Sequence, residues 1–145
     1  MEFEMNFPDN MLIGEIDFSD ININESNVGD ISLGKKAGSC KVEVRNGGNE
    51  GPVPHFHIYN DDFLCCLCIY EPRYFDHRIH QDTLSNNQLK KLDSWFREPH
   101  RKGNKITRWE FGEACWKFKS DEEEMRFRIT NKQPNYKDTK GYKSK

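Results

Sequence analysis

The chain has 145 residues, of which 34% are hydrophobic, 12% aromatic and 32% charged, and its formal net charge is −2. That length predicts one domain with a modest core, and the apolar and aromatic content excludes a fully disordered chain. No apolar run approaches the roughly 18 residues of a membrane span, and the N-terminus lacks the basic and apolar regions of a secretory signal, so we expect a cytoplasmic protein without a membrane partner.

Charge and cysteine content narrow the class further. Residues 1–34 contain eight acids and no Lys or Arg, whereas the remainder carries 16 acids and 22 bases. This asymmetry suggests an acidic face and a basic face, although a solvated surface without any ligand is the plainer interpretation. In the cytoplasm the five cysteines are expected to be thiols.

Strand patterns dominate the first half of the chain. Apolar residues stand two apart in 12–18, 21–23 and 31–33, which predicts short edge strands or an extended arm. Residues 40–45 alternate cleanly, and the pattern predicts an inward face and an outward face. The inward residues are Cys40, Val42 and Val44, and the outward residues are Lys41, Glu43 and Arg45.

Two further strands follow a Gly- and Asn-rich break. Residues 55–60 predict the second strand of a hairpin, and Phe63 to Tyr70 predicts a third strand that is apolar on both faces. A strand without a polar face is normally central and covered on both sides. One of its faces carries Phe63, Cys65, Leu67 and Ile69, and the other carries Leu64, Cys66, Cys68 and Tyr70.

Two helices have explicit start signals. Ser85 and Gln88 form a capping box before an apolar stripe at helical spacing, and Pro99 ends that helix. Thr107 and Glu110 repeat the device, and the second helix is predicted to run to about Ser120.

These elements predict a single α+β domain, in which two capped helices pack on one face of a small antiparallel sheet of about four or five strands. Residues 125–129 supply a candidate last strand. The predicted organisation is an acidic N-terminal arm or edge strands over 1–38, an α+β core over 39–130 and a basic flexible tail over 131–145.

The motif Pro54-His55-Phe56-His57-Ile58, followed by an amphipathic helix that contains Trp95, carries a family resemblance. Over about residues 52–118 the chain resembles small bacterial proteins of unknown function with a Pro-Pro-His-Phe-His-like signature. Here Val53 replaces the first proline. The resemblance implies a small sheet with helices and a toxin–antitoxin, phage-defence or counter-defence setting, and it implies no activity.

His55 and His57 form the sharpest candidate site. Imidazoles two apart on a strand share a face and can both reach one divalent metal ion. A third ligand could come from His77, His80, Cys66, Cys68 or Glu113, and the sequence does not select among them. Packing within the sheet, with no cofactor, is the competing interpretation, and the cysteines by themselves are typical of buried apolar residues.

Basic residues form the second candidate site. Those around the helix–helix connection, with two from a His/Arg-rich loop, could contact nucleic acid or an acidic protein. The residues are Arg73, Arg78, Lys90, Lys91, Arg101, Lys102, Lys105 and Arg108. A solvated connection is the plainer interpretation.

No complete catalytic set occurs, so the leading hypothesis is a non-enzymatic protein-interaction module whose partner is another protein. A nucleic-acid-binding protein that uses the basic connection is the first alternative. A metal-dependent hydrolase or nuclease centred on His55 and His57 is the second.

Overall fold

The computed structural model describes residues 10–19, 38–45, 53–76, 81–103, 105–120 and 132–143. The predicted strand at 125–129 and the apolar pairs at 21–23 and 31–33 lie outside these residues. No helix in the described segments is long and apolar enough to cross a membrane.

The architecture is α+β, as the sequence predicts. One sheet contains β1 (Asn10–Asp17), β2 (Ser39–Arg45), β3 (His55–Tyr59), β4 (Leu64–Cys68), β5 (Tyr74–Phe75) and β6 (Tyr142–Lys143), in that order. Adjacent strands from β1 to β5 are antiparallel, while β6 runs parallel to β5. The sheet therefore has one strand more than the expected maximum, and it is mixed instead of purely antiparallel.

Helices α1 (Asn86–Arg97) and α2 (Arg108–Ser120) begin where the capping signals place them. Gln88 N–H donates to Ser85 Oγ and Ser85 N–H donates to Gln88 Oε1, at 3.2 and 2.8 Å. The same reciprocal pair joins Thr107 and Glu110, at 3.1 and 2.9 Å. Both caps satisfy backbone donors within one helical turn, which is why the local sequence reveals them.

The main core lies between both helices and one face of the sheet. Phe56 contacts Phe96 of α1 at a ring-centroid distance of 4.6 Å, and α2 approaches Phe56 at Gly112. The predicted face assignments of β2 and β4 are confirmed for their apolar residues, except that Tyr70 beyond β4 packs with this core. Its members include Cys40, Val42, Val44, Phe56, Ile58, Phe63, Cys65, Leu67, Ile69, Leu89, Leu92, Phe96 and Trp109.

A β-bulge changes the facing of β1. The register with β2 shifts between Leu12 and Gly14, so one residue is added to β1. Ile13 and Ile16 therefore both reach the core although they are three apart, and Leu12 is 48% exposed. Simple alternation would place Leu12 on the same face as Ile16 and Phe18, toward the core.

The sequence predicts a boundary between the N-terminal arm and the core at residues 38 and 39, but the strands on either side of it belong to one sheet. β1 pairs with β2 along its length, and Ile13, Ile16 and Phe18 belong to the main core. Helix α1 contacts the other side of β1, where Trp95 Nε1 donates to the Glu15 carbonyl at 3.1 Å. The described part of the N-terminal region is therefore an edge strand of the domain.

The C-terminal segment also belongs to the domain. Tyr136 is fully buried, and its hydroxyl donates to the Cys68 carbonyl at 2.8 Å. Its backbone N–H donates to the buried Asp93 carboxylate at 3.0 Å. Residues 132–143, which belong to the segment 131–145 that is predicted to be a flexible tail, thus pack on the domain through one aromatic ring and one buried acid.

Helix α2 requires a glycine at its contact with the sheet. A Cβ at Gly112 would lie 2.3 Å from Phe56 Cε1, closer than real Cβ contacts. Overpacking costs about 1–3 kcal/mol and alanine gains about 1 kcal/mol in helix propensity. We expect Gly112→Ala to lower the free energy of unfolding in urea by up to about 2 kcal/mol. Gly38→Ala is the matched control, because nothing lies within 4 Å of a Cβ there, and an equal loss in both variants would contradict the contact.

Candidate functional site

His55 and His57 lie on the face of β3 opposite the main core. Antiparallel pairing with β4 places Cys68 across from His55 and Cys66 across from His57. Since residues two apart on a strand share a face, all four side chains belong to one side of this strand pair. We call these four residues the histidine–cysteine face.

Both imidazoles are buried, with 0% and 2% exposure for His55 and His57. His55 Nδ1 lies 2.7 Å from the Val53 carbonyl, and its ring stacks on Phe75 at 4.0 Å. The two imidazole centroids are 5.1 Å apart. The Val53 contact favours the tautomer in which Nδ1 carries the proton and Nε2 has the lone pair.

The cysteines of this face have different surroundings. Cys66 Sγ lies 3.5 Å from His57 Nδ1. Cys68 lines a cavity of about 330 Å³ together with residues that include Pro54 and Tyr70. Burial raises the pKa of the Cys68 thiol to about 11, so that thiol is protonated near neutral pH.

The structure separates the candidate third ligands. Cys66 and Cys68 share the face of the two histidines, whereas Glu113 lies on α2, where it accepts a hydrogen bond from Tyr70 and pairs with Lys117. His77 and His80 lie outside the described residues. As the described side chains stand, no group of three or more His, Cys, Asp or Glu converges on one point.

Glu43 lies on the same side of the sheet as the two histidines. Its predicted facing away from Val42 and Val44 is therefore correct, but its burial was not predicted. It stands across from His57 in the β2–β3 register and is 8% exposed. The Tyr59 hydroxyl donates to Glu43 Oε2 at 2.5 Å, and Arg45 Nε donates to Oε1 at 3.3 Å. The bond to Glu43 raises the pKa of Tyr59. Only the strand register reveals this cluster, since Tyr59 is 16 residues away along the chain.

The described residues of the connection between α1 and α2 are fastened at both ends. An antiparallel bridge joins Pro99 to Thr107, and Arg108 N–H donates to the Glu98 carbonyl at 2.9 Å. Gly103 has a φ of +82°, a value that favours glycine. We call residues 99–103 and 105–107 the basic loop.

Aromatic contacts hold the ends of the basic loop. The His100 ring stacks on Phe111 of α2 at 3.8 Å and 14°. The Arg108 guanidinium lies 4.4 Å from the centroid of the Trp95 ring and donates to Glu98 Oε1 at 2.5 Å. These contacts fix the base of the loop on both helices.

The predicted basic residues separate into groups. Arg101, Lys102 and Lys105 are exposed on the basic loop, Lys90 is exposed on α1, and Arg73 is exposed in the β4–β5 turn. Two others make internal contacts, since Lys91 Nζ donates to the Asp17 carbonyl and Arg108 binds Trp95 and Glu98. Arg78 lies outside the described residues.

Comparison with known proteins gives no relative. No protein-family model, curated protein or solved structure matches the chain.

Proposed function

We propose that the protein is a non-enzymatic interaction module that binds an acidic surface of another protein through the basic loop. The observation that carries the proposal is the exposure of Arg101, Lys102 and Lys105 on a loop whose two ends are fixed. A fixed base lowers the conformational entropy that the loop would lose when it binds.

The division of the basic residues supports this assignment. Arg108 and Lys91, which also belong to the predicted patch, form bonds inside the domain. The three loop residues instead present their charges to solvent. They can thus meet a partner without disturbing the core, and they are the exposed members of the patch that share one loop.

Charge distribution favours a protein over a nucleic acid. The chain carries a net charge of −2, and residues 1–34 contribute eight acids and no Lys or Arg. A net negative chain repels a long polyphosphate, whereas a compact acidic patch needs contact only with the loop. The toxin–antitoxin, phage-defence or counter-defence setting stays a prediction.

Charge reversal tests the proposal. The full chain is titrated against fluorescent poly-L-glutamate and against a short duplex DNA, with binding followed by anisotropy at several salt concentrations. We expect the triple variant Arg101→Glu, Lys102→Glu, Lys105→Glu to weaken polyglutamate binding at least about 10-fold. Added salt should weaken the wild-type interaction, since exposed charges are screened.

The matched control reverses three exposed cations of the C-terminal segment, Lys132, Lys137 and Lys140. It changes the net charge by the same amount and should bind polyglutamate like the wild type. Equal losses in both triples would overturn the proposal. If duplex DNA binds more tightly than polyglutamate and only the loop triple abolishes it, the nucleic-acid alternative replaces the protein partner.

A further inference from the structure

A cavity of about 330 Å³ lies at one end of the central strands. It forms where three segments meet, namely the residues just before β3, the end of β4 with the residues that follow it, and the end of β6. The residues that line it are Val53, Pro54, Cys68, Tyr70, Glu71 and Lys143. We propose that this cavity binds a free α-amino acid with an apolar side chain, such as leucine.

Hydrogen bonds hold the walls of the cavity in place. Ile69 N–H donates to the Pro54 carbonyl at 3.0 Å, which ties the residues before β3 to the end of β4. The Tyr70 hydroxyl donates to the Glu113 carboxylate at 2.8 Å and fixes the ring relative to α2. Lys143 lies on β6, which pairs with β5 in the sheet. A cavity whose walls are fixed loses little conformational entropy when a ligand binds.

One ion pair supplies both charges that recognise an α-amino acid. Lys143 Nζ lies 2.7 Å from Glu71 Oε2, and the two side chains are 40% and 37% exposed. Exposed ion pairs contribute little stability, so both groups can accept a new partner with little loss. An α-amino acid carries its ammonium and its carboxylate on one carbon. Its carboxylate can therefore contact Lys143 while its ammonium contacts Glu71.

The other walls suit an apolar side chain. Val53, Pro54 and Tyr70 contribute aliphatic and aromatic surface. Burial raises the pKa of the Cys68 thiol to about 11, so this wall carries no charge near neutral pH. Small-molecule sites usually combine such walls with a few polar groups, in volumes of about 300–1,000 Å³. A volume of about 330 Å³ is at the lower end of that range, which favours a small ligand.

The two charges distinguish a free amino acid from related ligands. A residue within a peptide carries neither backbone charge, a chain terminus carries one of them, and a simple organic anion lacks the ammonium. Each of these ligands would meet only one member of the Glu71–Lys143 pair at most, whereas the zwitterion meets both. The ion pair therefore selects the free amino acid.

Titration with leucine and its derivatives tests the site on the unaltered full chain. Amide chemical shifts of the ¹⁵N-labelled protein are followed at neutral pH while L-leucine is added. We expect a Kd below about 1 mM, with the largest shifts at residues 68–71 and 143. Glycine, which lacks the side chain, should bind at least about 10-fold more weakly. L-Leucinamide and isocaproate, which each lack one of the two charges, should show a similar loss.

Two results with the unaltered chain would overturn the proposal. One is the absence of shift changes up to about 10 mM leucine, which would show that the cavity does not take this ligand. The other is equal affinity for leucine and isocaproate, which would show that the site binds apolar anions without reading the ammonium.

Substitutions at the ion pair locate the site. Lys143→Met and Glu71→Gln should each weaken leucine binding at least about 10-fold, because each removes a charged partner of the ligand. Lys140→Met is the matched control, since Lys140 is exposed on the same segment and is not among the residues that line the cavity. It should bind leucine like the wild type. Equal losses in Lys143→Met and Lys140→Met, or no loss in either ion-pair variant, would overturn the assignment.

Discussion

Replacing Tyr136 by alanine should lower the free energy of unfolding by about 3–5 kcal/mol. The ring is fully buried, and its centroid lies 5.3 Å from the ring centroid of Phe96 on α1. The hydroxyl contacts the carbonyls of Cys68 and Ile69 at 2.8 and 2.9 Å, and Trp109 Nε1 lies 3.3 Å away. The substitution therefore removes a large apolar volume together with a buried hydrogen-bonding group.

Tyr136→Phe separates these two contributions. It retains the ring and removes only the hydroxyl, so a loss of about 1–1.5 kcal/mol is expected. Urea unfolding measures both variants, and hydrogen exchange over residues 132–143 should rise selectively in Tyr136→Ala. A change below about 0.5 kcal/mol in Tyr136→Ala is what a flexible tail predicts, and it would contradict the packed segment.

Raising the pH above about 9 should destabilise the fold steeply. Burial raises the pKa of the Cys115 thiol to about 12, and it holds the pKa of Cys65 well above its ordinary value. The unfolded chain loses both protons near pH 8.5–9, whereas the folded chain keeps them. Each thiol then lowers the free energy of unfolding by about 1.4 kcal/mol per pH unit, and the two together lower it by about 3 kcal/mol per pH unit.

The stabilising contribution of these thiols is fully present below pH 9 and disappears as the pH approaches their folded pKa values. Urea unfolding between about pH 8.5 and 10.5, with reductant and chelator present, measures the slope. Cys115→Ala should reduce that slope by about 1.4 kcal/mol per pH unit. An unfolding free energy that does not change over this range would show that the thiols are not protected from solvent in the folded state.

The candidate sites show how far the sequence could specify them. It identified His55 and His57 as neighbours on one face, because strand alternation fixes that relation within three residues. It could not place Cys66 and Cys68 beside the histidines, since that placement depends on which strand pairs with β3 and in which register. A shift of one residue would turn Cys65 toward His57 instead.

The basic residues show the same limit. Six of the predicted cations lie close together along the chain around the helix connection, and the sequence treats them alike. Lys91 donates to the Asp17 carbonyl of β1, and Arg108 donates to the Trp95 carbonyl of α1 and to the Glu98 carboxylate just after it. Only part of the predicted patch is therefore available to a partner. Internal hydrogen bonds from long side chains depend on the approach of distant elements, which composition cannot reveal.

The sequence by itself determined both helices and the facing of the apolar residues on β2 and β4. The capping boxes act within one turn and alternation acts within one strand, so neither needs a distant partner. Only the tertiary structure decided the bulge in β1, the burial of Glu43 and Tyr136, and the pairing of the histidines with Cys66 and Cys68. Each of these depends on contacts between segments far apart in the chain, where packing and register outweigh local preference.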